Sequence, residues 1–119
     1  MKRAIILTAA TSSTLTVLAL WSLGYASLPA KVKLENAKVR VSEVTYAPGV
    51  PRERFIREHD QVIVFLDDCR YQRTDSATKE KTIRERKSGD VIWHDKGEDA
   101  PVLINQGSQP YRTIVVELK

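Results

Sequence analysis

The sequence predicts an all-β fold, a small sandwich or barrel of seven or eight short strands. Three observations predict it. Apolar and polar residues alternate in short runs, clusters of Gly, Pro, Asn and Asp separate the runs, and nothing after the N-terminal segment carries an apolar stripe at helical spacing. The Lys- and Glu-rich stretch from Ala77 to Arg86 is the one competitor for a helix, and beyond Ile83 it has no apolar stripe to dock.

The chain opens on Met1-Lys2-Arg3, a short positive region, and continues from Ala4 to Tyr25 without a charge, the order of parts of a secretory signal. Thr11-Ser12-Ser13-Thr14 and Thr16 dilute the apolar stretch, leaving Val17 to Leu23 as its most apolar part, too short for a membrane span of about 20 residues. Gly24-Tyr25-Ala26 offers the small residues that signal cleavage requires, which places the cut before Ser27. Residues 1–26 are therefore expected to be a signal peptide and the mature protein to be periplasmic or secreted. Only an uncut leader would associate it with a membrane.

Residues 27–36 read as a linker or N-terminal arm, and residues 37–119 as the single domain. Val39, Val41, Val44 and Tyr46 mark the first strand region, and the slip in parity between Val41 and Val44 predicts a β-bulge or a break. Ala47-Pro48-Gly49-Val50-Pro51 reverses the chain. Gln61 to Leu66 and Cys69 to Thr74 are expected to pair as a hairpin about Asp67-Asp68. Lys81 to Arg86 and Val91 to His94 are expected to pair likewise about Ser88-Gly89-Asp90. A loop around Gly97, the strand Val102 to Asn105, a Gln106-Gly107 turn and the strand Tyr111 to Leu118 complete the domain.

Charge argues against nucleic-acid binding. Removing Lys2 and Arg3 from the 19 basic residues leaves 17 against 15 acidic ones, a weak field, and bases alternate with acids in Arg52-Glu53-Arg54 and Lys79-Glu80-Lys81. Cys69 is the only cysteine, so no internal disulfide forms, and it reads as a small apolar filler on a strand. No phosphate-binding glycine loop, Gly-x-Ser-x-Gly elbow or Cys-x-x-Cys pair is present, and no catalytic residue is assigned.

From Ala37 to Lys119 the order of motifs resembles the cupin superfamily. The second segment carries it: Gly89-Asp90-Val91-Ile92-Trp93, Gly97-Glu98, Asn105-Gln106-Gly107 and Pro110 to Leu118, preceded by a first segment from Pro48 to Asp68. The resemblance implies a double-stranded β-helix, or jelly-roll, barrel. Metal-dependent cupins take two histidines and a glutamate from the first segment and a histidine from the second. Here Gln61 stands at the glutamate position, Phe55, Ile56 or Arg57 near the histidine positions, and Ala100 at the last one. These residues offer too few donors for a divalent cation, so no cofactor is expected.

On an extended path Arg57, His59, Gln61, Ile63 and Phe65 share one face, and the resemblance at Gln61 implies that this face looks inward. Arg57 and His59 would then meet a carboxylate or hydroxyl of a small ligand, with Ile63 and Phe65 against its apolar body, and Gln61 and Trp93 complete the expected ligand-binding set. In the competing reading Arg57 and His59 lie in an exposed connection with Glu58 and Asp60. Trp93 is placed inward with Val91, and His94 away from the barrel. The leading functional expectation is an exported binder of a small anionic or hydroxylated molecule. One alternative is an oxygenase or isomerase whose divalent transition metal is held atypically by His59 and His94 with Glu98 or Asp95. Another is a structural barrel pairing through its edge strands as a homodimer.

Overall fold

The computed structural model describes residues 28–119, so the expected signal peptide lies outside the described residues. Eleven strands follow in order: β1 (Ala30–Glu35), β2 (Val39–Tyr46), β3 (Pro51–Arg52), β4 (Phe55–Ile56), β5 (Asp60–Phe65), β6 (Cys69–Thr74), β7 (Lys81–Arg86), β8 (Val91–His94), β9 (Asp99–Ala100), β10 (Val102–Asn105) and β11 (Tyr111–Leu118). They build a five-stranded sheet in the order β1-β2-β11-β5-β8 and a four-stranded sheet in the order β3-β10-β6-β7, with β4 and β9 as a separate pair. The described chain is all-β, and β2, β5, β6, β7, β8, β10 and β11 lie where the pattern places them, while β9 begins at Asp99, the end of the expected loop around Gly97.

The inner faces of the two large sheets meet in one core. Val44, Ile63, Phe65, Tyr111 and Val115 come from the larger sheet and Tyr71 from the smaller, each at most 7% exposed. Alternation along the strands sets this: Ile63 and Phe65 on β5 point in while Val62 and Val64 do not, and Tyr111, Thr113 and Val115 do the same on β11. Burying each of the aliphatic ones contributes about 1.5–3 kcal/mol.

Three expectations about connectivity are corrected. First, β5 and β6 do not pair. β5 lies between β11 and β8, whereas β6 lies between β10 and β7, so Asp67-Asp68 carries the chain from one sheet to the other. The expected pairing of β7 with β8 fails for the same reason, since β7 joins β6 and β8 joins β5. A tight polar turn serves a sheet-switching corner as well as it serves a hairpin, and turn chemistry alone does not separate them.

Second, the described part of the expected linker or arm, residues 28–36, carries a strand: β1 pairs with β2 at the edge of the larger sheet, and Leu28 is 1% exposed in the core. Lys31, Lys33 and Glu35 are exposed on this edge strand, and their charge hid it in the sequence. Third, β2 carries no bulge, because it pairs with β11 in unbroken register from Val39 opposite Leu118 to Tyr46 opposite Tyr111. The register shift sits in β1, between Val32 and Leu34. Val41 faces outward, where it continues a band of Val62, Val64, Ile114 and Val116, while Ser42, 1% exposed, takes the inward position. Apolar residues on both faces of the sheet produced the apparent slip.

Candidate functional site

Between the two sheets the inward side chains leave a cavity of about 200 Å³. Its inner part is aromatic. Tyr46 and Tyr111 stack with ring centroids 4.6 Å apart, and Phe65 and Tyr71 lie 6.4 Å from each other. Burial pushes the Tyr111 hydroxyl far above the usual phenol range, so it stays neutral. Thr113 also lines the cavity, and its buried Oγ1 has no hydrogen-bond partner among the described residues.

The rest of the lining is dominated by arginine: Arg52, Arg57, Arg73, Arg84 and Arg86 face the cavity and no Asp or Glu does. Arg52, 2% exposed, is held by β3 opposite Leu103 of β10. One Nη donates to the Pro101 carbonyl and the guanidinium lies 5.4 Å from the centroid of Phe55, while its buried Nε has no hydrogen-bond partner among the described residues. No carboxylate of the described residues forms an ion pair with it. An ionised group out of water without a counter-charge is costly, and arginine cannot shed its proton to avoid that cost.

Arg57, 3% exposed, reaches the same Phe55 ring at 5.6 Å and donates from Nη1 to Gln61 Oε1 at 2.7 Å. Its backbone anchors the turn that follows β8, accepting from Gly97 N at 2.8 Å and donating to Glu98 O at 3.1 Å. Gly97 makes this possible at φ 85°, a conformation that other residues rarely adopt. The turn brings the Glu98 carboxylate to 3.8 Å from Arg57 Nε and into contact with His94 Nδ1. His94 lines the cavity, and its pKa is lowered, first by burial and then by the positive charge of Arg57. On the opposite wall Arg86 lies 5.8 Å from the Phe65 centroid, with Nε 3.5 Å from the Tyr71 hydroxyl.

Of the expected site residues, the cavity takes Arg57 and Phe65, and Gln61 sits behind Arg57 as its hydrogen-bond partner. Trp93 is a correction. It is 51% exposed, donates from Nε1 to Asp95 at 2.8 Å and faces away from the barrel. Register decides this: His94 lies opposite inward-facing Gln61 and Ile92 opposite Ile63, so the even residues of β8 point in and Val91 and Trp93 point out. His94, expected to face elsewhere, belongs to the cavity. His59 does not line it, and its Nδ1 is 3.5 Å from Glu117, which Arg40 also approaches at 3.6 Å. The competing reading in which Arg57 is exposed fails with its burial.

Arg52, Arg73, Arg84 and Arg86 were not singled out in the sequence, although a signal was present. In Arg84-Glu85-Arg86 a strand separates the charges, both arginines on the face of Tyr71 and Cys69 and the glutamate on the other. The like alternation in Arg52-Glu53-Arg54 and Lys79-Glu80-Lys81 predicts only a weak, mixed field. Cys69 packs against the core, and burial pushes its thiol up to about 11, as befits a filler.

The usual metal site of cupins does not fit these residues. Among the described residues no three His, Cys, Asp or Glu side chains converge. His94 and Glu98 meet, His59 stands with Glu117 instead, and the Arg57 guanidinium occupies the space beside Glu98 where a cation would need donors.

No protein-family model matches the chain, and no curated protein matches it. Solved structures do. The fold is similar to that of a cupin domain from Bordetella pertussis Tohama I, with TM-score 0.69 and 17% identity over 78% of this chain and 94% of that one. It is similar to the polyketide cyclase RemF of Streptomyces resistomycificus, with TM-score 0.63 and 16% identity over 80% of this chain and 67% of that one. It is also similar to an oxalate oxidase in complex with the substrate analogue glycolate, with TM-score 0.56 and 13% identity over 76% of this chain and 50% of that one.

Proposed function

We infer that this chain, which has the cupin fold, is an exported protein that binds a small anion inside its barrel without the metal site common on that fold. The observation that carries the reading is Arg52, a buried guanidinium facing a cavity with no carboxylate partner among the described residues. A bound anion supplies the missing counter-charge and accepts from the free donors, turning a destabilising burial into charge-assisted hydrogen bonds. Arg57, Arg73, Arg84 and Arg86 add to the same positive potential, focused by low-dielectric walls. The notion of a hydroxylated neutral ligand is weaker, because a neutral molecule leaves the charges uncompensated.

Supporting analogy comes from the oxalate oxidase, which is in complex with the substrate analogue glycolate, a small carboxylate. Export rests on the Lys2-Arg3 start, the uncharged stretch to Tyr25 and the Gly24-Tyr25-Ala26 cleavage pattern. The test is calorimetric titration of the purified protein with acetate, succinate, phosphate and glucose at fixed ionic strength. Saturable binding of an anion, abolished in Arg52→Met and absent for glucose, is the expected result. Glucose binding with no anion binding would overturn the reading.

A further inference from the structure

The arginines that line the cavity come from separate positions on its wall. In the smaller sheet, Arg52 of β3 and Arg73 of β6 stand on either side of Leu103 of β10 in a single cross-strand row, and all three line the cavity. Their backbones are two strand spacings apart, about 9.6 Å. Each end of the row is reinforced. Arg57 joins Arg52 at the Phe55 ring, their guanidiniums 5.6 and 5.4 Å from its centroid. On the other side Arg84 lies opposite Tyr71, the inward neighbour of Arg73, and Arg86 lies opposite Cys69. The wall therefore reads positive, apolar, positive.

A single carboxylate can neutralise the Arg52 end of this row and leaves the other end, where Arg73 is half-buried and Arg84 exposed, without an anion. Resting on the anion reading above, we propose that the ligand is a small α,ω-dicarboxylate, one carboxylate at Arg52 and Arg57, the other at Arg73 and Arg84, with its short apolar link against Leu103. The cavity of about 200 Å³ is of a size for a chain of a few carbons. Bidentate guanidinium–carboxylate geometry at both ends gives the selectivity for length.

The experiment is calorimetric titration of the purified protein at constant ionic strength with succinate, glutarate, butyrate and inorganic phosphate, repeated on Arg73→Gln and Arg52→Met. The expected result is that succinate or glutarate binds at least about tenfold more tightly than butyrate, equivalent to about 1.4 kcal/mol. Arg73→Gln brings the dicarboxylate to within about threefold of butyrate, and Arg52→Met abolishes binding of both. Arg73 is half-buried, so its variant tests the idea even if the Arg52 variant fails to fold. Equal affinity for butyrate and the dicarboxylates overturns the two-ended ligand and leaves the anion site standing. Tighter binding of phosphate than of either dicarboxylate does the same, pointing to one divalent centre. Binding of none of the four overturns this proposal and the anion reading together.

Discussion

Arg57 donates a 2.7 Å hydrogen bond to the amide oxygen of Gln61, which stands where the resemblance to metal-dependent cupins puts a glutamate. A neutral amide orients the guanidinium without cancelling its charge, which keeps the cavity positive. Gln61→Glu supplies the carboxylate and forms a buried ion pair with Arg57. Anion affinity is expected to fall about tenfold, with the fold intact by circular dichroism. Unchanged affinity in the titration would mean that Arg57 does not contribute to binding.

Arg52→Met separates function from stability. Replacing a buried, uncompensated charge with an apolar side chain of similar length is expected to leave the ligand-free melting temperature unchanged or raise it, by the equivalent of about 1 kcal/mol. Anion binding is lost at the same time. A melting temperature that falls by several degrees with binding retained would assign Arg52 a structural role.

His94 gives a pH dependence with a definite sign. Burial and Arg57 lower its pKa in the folded chain below the value of 6.5, while the unfolded chain keeps the ordinary value. As pH falls below 6.5 the unfolded state therefore takes up the proton first, and stability drops through that window. His94→Gln should remove this part of the loss in denaturant titrations between pH 7 and pH 5. An anion in the cavity favours the protonated ring, so binding is accompanied by proton uptake, measurable as a buffer-dependent calorimetric heat.

Trp93→Ala is expected to leave anion affinity untouched and to change stability by less than about 1 kcal/mol, because the ring stands on the outer face. Ile63→Ala, on the inner face two positions from Gln61, should cost about 3 kcal/mol. Chemical denaturation of the two variants measures both. A large loss from Trp93→Ala would place that ring against a partner surface.

Metal addition is the fifth test. Protein purified without a metal-binding tag is expected to hold less than about a tenth of an equivalent of Fe, Mn, Ni, Cu or Zn and to show no rise in melting temperature with their salts. A stoichiometric metal lost in His94→Ala would restore the enzyme reading.

By itself the sequence determined the all-β class, the extents of the longer strands and one face of β5, because alternation and turn residues are local properties of the chain. It carried the parity of Ile63 and Phe65, and hence the part of the cavity wall that β5 supplies. Only the tertiary structure decided which strands pair. Asp67-Asp68 permits a hairpin or a corner, and the corner puts His94 opposite Gln61 and turns Trp93 out. It also decided what charge alternation means. In Arg84-Glu85-Arg86 the pairing of β7 with β6 puts both arginines on the face of Tyr71, where they line the cavity. Strand pairing and the inward side of a sheet are long-range facts, set by burial between segments far apart in the chain, and so the arginine-lined cavity emerges only when the two sheets close on each other.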